Sequence, residues 1–521
     1  MGCPHCCPLL LDLRTNQCYT SSRYAGGHCR GPGAAPMSSR PPNILFITTD
    51  QQRQDSLPCY GMSFMRTAAI DRLAAEGVVF DNALAVAPVC QPCRAAFVCG
   101  QYPFVNGVAA NFQWLRPGTP TIADAFRNAG WKTAAIGKMH FHEWDDAQGF
   151  EHRVIAEDKR HFFRPDHHAQ FVRQHGFERG HPAHVAGYGA WLGAITSPLP
   201  GELHIDSYIG TQAVRYLEQA GRDPFFCWVS FNSPHDPYDP PAELAALYRD
   251  APIPEAVGGL QELEHKPAYQ RRLLEFFAEN PLYFTDYRRA TPEIIRRTRE
   301  HYLATVSLVD EQIGRILDTL EQRGLSRNTL IVFSSDHGDE LGDHGLPYKG
   351  TFYEGSLKVP LIVCGPGVTR NRRCRSFVDW VDLHRTFLEI AGIRPGAHVQ
   401  GQDLRGLLHD PAGPGRTEGF SELLGRAMVS TDRYKLVLCD DGDGELYDLQ
   451  QRPLEVHNHF HDPDWKHLRT SLGDTLMQRL LSYSRVTRFG GGAYPSDQGR
   501  DRALAEARRV AALGGFAGLT D

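Results

Sequence analysis

The 521-residue sequence predicts an α/β fold: a mostly parallel central sheet with helices on both faces, followed by a small C-terminal α+β subdomain. Short, nearly continuous apolar runs recur at 43–48, 132–136, 225–231, 329–333 and 361–363. Runs of this kind fit strands buried on both faces of a parallel sheet. Helical patterns separate the runs, and the texture of the sequence changes after residue 400.

The strand at 43–48 (NILFIT) opens the folded part. Ile70, Leu73 and Ala74 then share one helical face, with Gly77 where a C-terminal cap would stand. Ile122, Ala125, Phe126 and Ala129 repeat that design and end at Gly130. Tyr302, Val306, Val309, Ile313, Leu317 and Leu320 mark a long amphipathic helix stopping at Gly324, inside which Asp310 reads as a local cap or salt-bridge partner. Beyond residue 400, 434–438 and 445–449 read as an antiparallel hairpin around Asp441-Gly442-Asp443-Gly444. A helix over 466–483 follows, and a last helical stretch over 500–513 is where contact with another subunit is expected. The organisation expected is an N-terminal extension over 1–40, a catalytic domain over 41–400 and a small C-terminal subdomain over 401–521.

Composition narrows the function. A net charge of −6, with both signs scattered, offers no basic stripe for nucleic acid. No apolar run reaches the roughly 20 residues of a membrane helix. The first 36 residues hold five of the 13 cysteines, and their apolar patch at 9–11 is too short for a signal-peptide core. Cys3 and Cys6 have zinc-like spacing without a second pair. The segment reads as a disordered or mis-assigned extension before Met37, and the remaining eight cysteines as reduced in a cytoplasm. Of the 24 histidines several cluster between His161 and His184, either a solvated polar segment or a loop rimming a pocket.

In parallel sheets ligands bind beyond the carboxyl ends of the strands. Here four runs lead into charged or metal-binding groups: Asp50-Gln51, Lys138-Met139-His140, His235 and Asp336-His337. One such case is chance; four point to one site. Between them lies Pro88-Val-Cys90-Gln-Pro92-Cys93-Arg94. Cys90 and Cys93 are formally a C-x-x-C, as in thiol–disulfide enzymes, and could equally be two buried structural thiols. Pro92 suits a first helical turn. The helix N-terminus then favours an anion at residue 90, and Arg94, one turn in, adds a cation able to hold an oxyanion.

The same residues resemble the sulfatase family, close also to phosphonate monoester hydrolases. Cys90, Pro92, Arg94 and Gly100 match C-x-P-x-R with its following helix and glycine. Ser335-Asp336-His337-Gly338, Lys138-x-His140, His235 in Ser-Pro-His-Asp-Pro, and Lys349 thirteen residues after Asp336 follow in the family's order. Cys93 and Cys99 depart from the commoner Ser and Thr.

The resemblance implies an alkaline-phosphatase-like fold and hydrolysis of a small-molecule sulfate ester, or alternatively a phosphonate monoester or phosphodiester. It implies a formylglycine made from Cys90 by a formylglycine-generating enzyme. It also implies one divalent metal ion on Asp50, Gln51, Asp336, His337 and residue 90. Carboxylates and an amide oxygen suit Ca²⁺ or Mg²⁺, and the histidine admits Mn²⁺. Arg94, Lys138 and Lys349 would hold charge on the ester oxygens. His235 or Lys349 would protonate the leaving oxygen, and His140 would take the proton for release of the product. Asn111 and Tyr353 are weaker substrate-binding candidates. Gln51 and His337 lean toward the phosphonate hydrolases, Lys138 and His140 toward sulfatases. The segments 161–188 and 254–292 would build the substrate rim, and a homo-oligomer is expected. A non-catalytic binding protein on this fold is the outside alternative.

Overall fold

The computed structural model describes residues 41–161 and 164–483 and the backbone of 494–495. The expected extension over 1–40 and tail helix over 500–513 lie outside the described residues. Eight strands form the central sheet: β1 (Asn43–Asp50), β2 (Gly77–Ala83), β3 (Lys132–Gly137), β4 (His152–Ile155), β5 (Phe225–Pro234), β6 (Thr329–Ser335), β7 (Leu361–Cys364) and β8 (Arg372–Val378). Their order is β4-β3-β5-β1-β6-β7-β2-β8. Every pairing is parallel except the two made by β7. Thus the run at 361–363 is a strand, but it is the antiparallel one. Four buried residues carry no directional signal, so its sense was not readable from its side chains.

Alternation along β1 sorts the core into two layers. Ile44 and Phe46 face one side, with helices α2 (Cys90–Cys99), α3 (Ile122–Asn128) and α6 (Trp380–Ile390). Leu45 and Ile47 face the other, with α1 (Ala68–Glu76), α4 (Ile205–Gln219) and α5 (Pro292–Gln322). In the first layer Phe46 meets Phe97 at 4.9 Å and Trp228 at 5.7 Å between ring centroids, and Phe97 meets Trp380 at 5.8 Å. Each such contact adds about 0.5–1.5 kcal/mol beyond burial. Phe97 belongs to α2, so this aromatic cluster fixes the helix that begins at Cys90.

Two readings of single residues change. Gly77 does not cap α1 in the left-handed region: its φ is −136°, and it opens β2. Glycine is required there because a Cβ would stand 2.2 Å from the Val363 carbonyl oxygen on the neighbouring strand. Asp310 caps a different helix from its own, accepting from Ala69 N at 3.1 Å and Ile70 N at 2.8 Å at the start of α1. By contrast Gly100 does end α2 with φ +70°, and a Cβ there would meet the His384 ring.

The second sheet is antiparallel: β9 (Gly419–Leu423), β10 (Arg426–Ser430), β11 (Tyr434–Cys439) and β12 (Gly444–Asp448), in that order. The hairpin around 441–444 pairs Leu438 with Gly444 and Tyr434 with Asp448. Helix α7 (Lys466–Ser482) packs Leu472 and Leu476 against Val429, Leu436 and Leu446. Among the described residues no helix is long and apolar enough to cross a membrane.

Candidate metal and active site

The carboxyl edge of the central sheet gathers the charged groups. Asp50 ends β1, at an irregularity where the pairing with β5 shifts register between Thr48 and Asp50. Asp336 and His337 follow β6, Lys138 follows β3, and His235 follows β5. Cys90 is the first residue of α2, whose N-terminal N–H groups lack a capping side chain at Val89. Asn111 supplies one partner instead, its Oδ1 accepting from Gln91 N at 3.1 Å.

One ligand atom from each of Asp50, Cys90, Asp336 and His337 lies within 4.8 Å of the others, all buried. The Cys90 sulfur is 3.1 Å from His337 Nε2 and 3.6 Å from Asp50 Oδ1. His337 Nδ1 donates to the Gly338 carbonyl at 2.9 Å, so Nε2 presents its lone pair to the group. Burial pushes this imidazole down to about 4, which keeps it neutral and fit to ligate. Two adjacent carboxylates, a neutral imidazole and the residue-90 side chain form a donor set that suits a divalent cation. Gln51 sits at φ +70°, and its carbonyl accepts from the Tyr302 hydroxyl at 2.9 Å. Its amide is engaged at both ends: Oε1 accepts from Lys349 and Nε2 donates to Asp339.

Arg94 is fully buried and spends most of its guanidinium on protein. Nε donates to Asp336 Oδ2 at 2.8 Å and one terminal nitrogen to Asp50 Oδ2 at 3.2 Å. The other donates to the Lys138 carbonyl at 2.6 Å and Ser230 Oγ at 3.0 Å. Four of its five N–H donors are so engaged, and the fifth, on the nitrogen that faces Asp50, is left over. Two buried carboxylates side by side need a counter-charge, and Arg94 supplies it. Lys138 Nζ pairs with Asp50 at 2.8 Å and Asp158 at 3.2 Å, which leaves one of its three protons uncommitted. Burial alone would raise the Asp50 carboxyl, but the Lys138 ammonium and the Arg94 guanidinium outweigh it and hold it well below the carboxylate range.

His235 has both ring nitrogens engaged. Arg160 donates to Nε2 at 3.2 Å, and Nδ1 donates to the Asp236 carbonyl at 2.8 Å. Burial, with Lys138, Lys349 and Arg160 around it, pushes its pKa well down. It is a neutral acceptor at Nε2. His140 has φ +57°, and its Nδ1 is buried without a hydrogen-bond partner. Tyr353 lies apart: its hydroxyl donates to Gln270 at 3.0 Å and its ring stacks on His344 at 3.9 Å, packed with Tyr447 of β12. The sequence reading had no way to see that Tyr353 turns toward the second sheet.

Burial, then Asp50, pushes the Cys90 thiol up to about 12, and burial raises Cys93 well above its ordinary value. A thiol–disulfide enzyme needs the opposite shift in its attacking cysteine. The sequence reading also missed Asp158, Arg160, Asp236 and Asp339, which partner Lys138, His235 and Gln51. Asp158 and Arg160 follow β4, whose four residues are too short for a periodic signal. The two segments expected at the rim do meet beside His235. His181 Nε2 donates to the Leu282 carbonyl at 2.8 Å, and Arg160, one residue before the first segment and in contact with His235, donates to the Tyr283 carbonyl at 2.8 Å.

Fold and site together define a hydrolase of the alkaline-phosphatase-like α/β class. Residues 42–393 match the sulfatase family, and residues 342–481 match the C-terminal family of N-sulphoglucosamine sulphohydrolase. The chain belongs to the sulfatase family. The choline-sulfatase of Rhizobium meliloti is 31% identical over 446 residues, covering 82% of this chain and 84% of that one. The arylsulfatase of Clostridium perfringens is 28% identical over 473 residues, covering 84% and 94%. The structure of the phosphonate monoester hydrolase of Agrobacterium radiobacter superposes with a TM-score of 0.75 at 24% identity, over 85% of this chain and 96% of that one.

Proposed function

We propose that the protein hydrolyses a small-molecule sulfate ester, with Cys90 converted to formylglycine by a formylglycine-generating enzyme and one divalent cation, Ca²⁺ or Mn²⁺, at Asp50, Asp336, His337 and residue 90. The observation that carries this reading is the meeting of residue 90, at the start of α2, with two carboxylates and a lone-pair-bearing imidazole inside 4.8 Å. The cation would supply Lewis-acid charge and the aldehyde hydrate an oxygen nucleophile at neutral pH. Arg94 keeps Asp50 and Asp336 charged and in place. Lys138 directs its free proton at a non-bridging ester oxygen. His235, a neutral acceptor at Nε2, has no proton there for the leaving oxygen, so that role falls to Lys349, whose ammonium keeps protons beyond the one given to Gln51. His140, with Nδ1 free, takes the proton whose loss releases the product.

The relatives named sulfatases favour sulfate, as does the presence of Lys138 together with His140. The phosphonate monoester reading is favoured by His337 in the cation's donor set and by Gln51, the expected fifth ligand, whose amide oxygen here accepts from Lys349 instead. The eight described cysteines are all unpaired, which supports a reducing cytoplasm. A homo-oligomer is part of the same reading. The test is co-production with the modifying enzyme, mass spectrometry of the Cys90 peptide, metal analysis, and kcat/KM on nitrophenyl sulfate against a nitrophenyl phosphonate monoester. An aldehyde at 90 with preference for the sulfate is expected. An unmodified thiol beside a competent modifying enzyme overturns the reading, and preference for the phosphonate moves it to the second one.

A further inference from the structure

Four consecutive charged residues, 157–160, follow the edge strand β4 and are almost wholly buried: Glu157 0%, Asp158 1%, Lys159 8% and Arg160 8% exposed. Burying charge is costly unless every group is matched. Here each is matched, and each match falls on a loop that carries a residue of the site. Glu157 accepts from the backbone N–H of Met139 and of His140 at 3.2 Å, where His140 holds its left-handed φ. Asp158 holds Lys138. Lys159 donates to the Pro237 carbonyl at 2.8 Å and pairs with Asp239. Arg160 holds His235 and Asp236.

Arg160 carries the most. Its Nε and one terminal nitrogen grip both oxygens of Asp158 at 3.0 and 2.9 Å. That same terminal nitrogen reaches His235 Nε2 at 3.2 Å, and the other reaches Asp236 at 3.2 Å and the Tyr283 carbonyl at 2.8 Å. All five N–H donors are spent, so nothing is left for an ester oxygen. The guanidinium acts on the site through its neighbours. A lysine, with three protons on one atom, cannot grip Asp158 in two places and reach His235 as well.

We propose that residues 157–160 are a positioning clamp for the sulfatase site, in which Arg160, with Asp158, fixes the ring of His235 and the ammonium of Lys138 relative to residue 90. The proposal rests on the sulfatase reading for its kinetic consequence but not for its geometric one.

The experiment uses the full-length, modified, metal-loaded enzyme and its Arg160→Met, Arg160→Lys and Asp158→Asn variants. Kinetics are read on nitrophenyl sulfate and on an alkyl sulfate with a poor leaving group. Ring ¹⁵N spectra of the histidines, with His235 assigned through a His235→Gln variant, read its tautomer directly. Wild type should show His235 as the Nδ1–H tautomer alone. In Arg160→Met the tautomer becomes mixed and kcat falls about 10- to 100-fold on both esters, with little change in KM or metal content. Arg160→Lys should recover little of the loss, and Asp158→Asn should lower kcat on both esters. Wild-type kcat in Arg160→Met on both esters overturns the clamp, as does an unchanged His235 tautomer or a loss that only tracks lost metal. If Arg160→Met fails to fold, Arg160→Lys decides by the same two readouts. A wild type inactive on both sulfates sinks the sulfatase reading instead, and the His235 spectra still decide the clamp.

Discussion

Besides Arg160, which lies between Asp158 and Asp236, Arg94 and Arg416 each centre a cluster in which one arginine stands between two aspartates. Arg94 pairs with Asp50 and Asp336 at the carboxyl edge of the sheet. Arg416 pairs with Asp379 and Asp382 at the start of α6. By composition they are twins, but the oxygens left over differ. Asp379 Oδ1 accepts from Val381 N and Asp382 N, capping α6, and its Oδ2 accepts from the Tyr102 hydroxyl. Asp382 accepts from Asp379 N and Gln402 N. Every acceptor there closes on the protein. In the first cluster Asp50 gives Oδ2 to Arg94 and Lys138 and turns Oδ1 toward Cys90 and His337. A buried ion cluster signals function when it leaves acceptors aimed at a common point, not merely because it is buried and charged.

The largest effect that separates the two clusters is expected at residue 90, the proposed nucleophile. Cys90→Ser should lose steady-state turnover by about 10⁴-fold or more, since a serine ester of the product has no second hydroxyl from which to collapse. A single stoichiometric burst is allowed; sustained turnover by this variant would falsify the formylglycine mechanism. Cys93→Ser should stay active, and its inactivity would revive the dithiol reading.

Next comes the pair of arginines. Arg94→Met leaves Asp50 and Asp336 buried without a counter-charge and should cost about 3–5 kcal/mol in denaturant unfolding together with the activity. Arg416→Met should also destabilise, by less because its side chain is 21% exposed, yet keep kcat near wild type. Equal loss of kcat in both would mean that the two clusters do not differ in the way drawn here.

The parts that were legible in the sequence share a property. Asp50, Lys138, His235 and Asp336 each follow a buried strand long enough to be read from its apolar run, so the strand predicts the edge and the edge collects the residues. Strands β2, β4 and β8 went unread. The exposed and charged positions of β8 hide its apolar ones, and β4 has only four residues. Asp158 and Arg160 were invisible for that reason: a charged segment after an unrecognised strand looks like a solvated loop until its partners, twenty residues before Asp158 and seventy-five after Arg160, are brought beside it. The Gln51–Lys349 contact spans 298 residues and has no local signature at all.

Another ion cluster calibrates the structural end of the comparison. Asp343 joins Arg53 and Arg299 at 2.6 Å each. Burial would raise its carboxyl, but the two guanidinium groups prevail and hold it down at about 2. A carboxyl depressed on folding stabilises the protein above its unfolded pKa of about 3.9, and that share, about 2 kcal/mol, is lost as pH falls toward 2. Asp343→Asn should therefore be less stable than wild type at neutral pH, with the gap closing between pH 4 and 2 in urea unfolding curves. A gap independent of pH would show that the asparagine acts through packing.

The smallest effect is expected at Tyr353, the candidate that the structure moved out of the site. Its hydroxyl donates to Gln270 Oε1 in the aromatic cluster with His344 and Tyr447, and removing it leaves one buried amide oxygen with one partner fewer. Tyr353→Phe should cost about 1 kcal/mol of stability and leave kcat and KM on the sulfate ester unchanged. The outcome is informative because Lys349, four residues earlier, does reach the site through Gln51. If Tyr353→Phe lowered kcat without lowering stability, the segment from Lys349 to Tyr353 would act as one unit, and the separation between the reactive edge and the second sheet would have to be redrawn to include this hydroxyl.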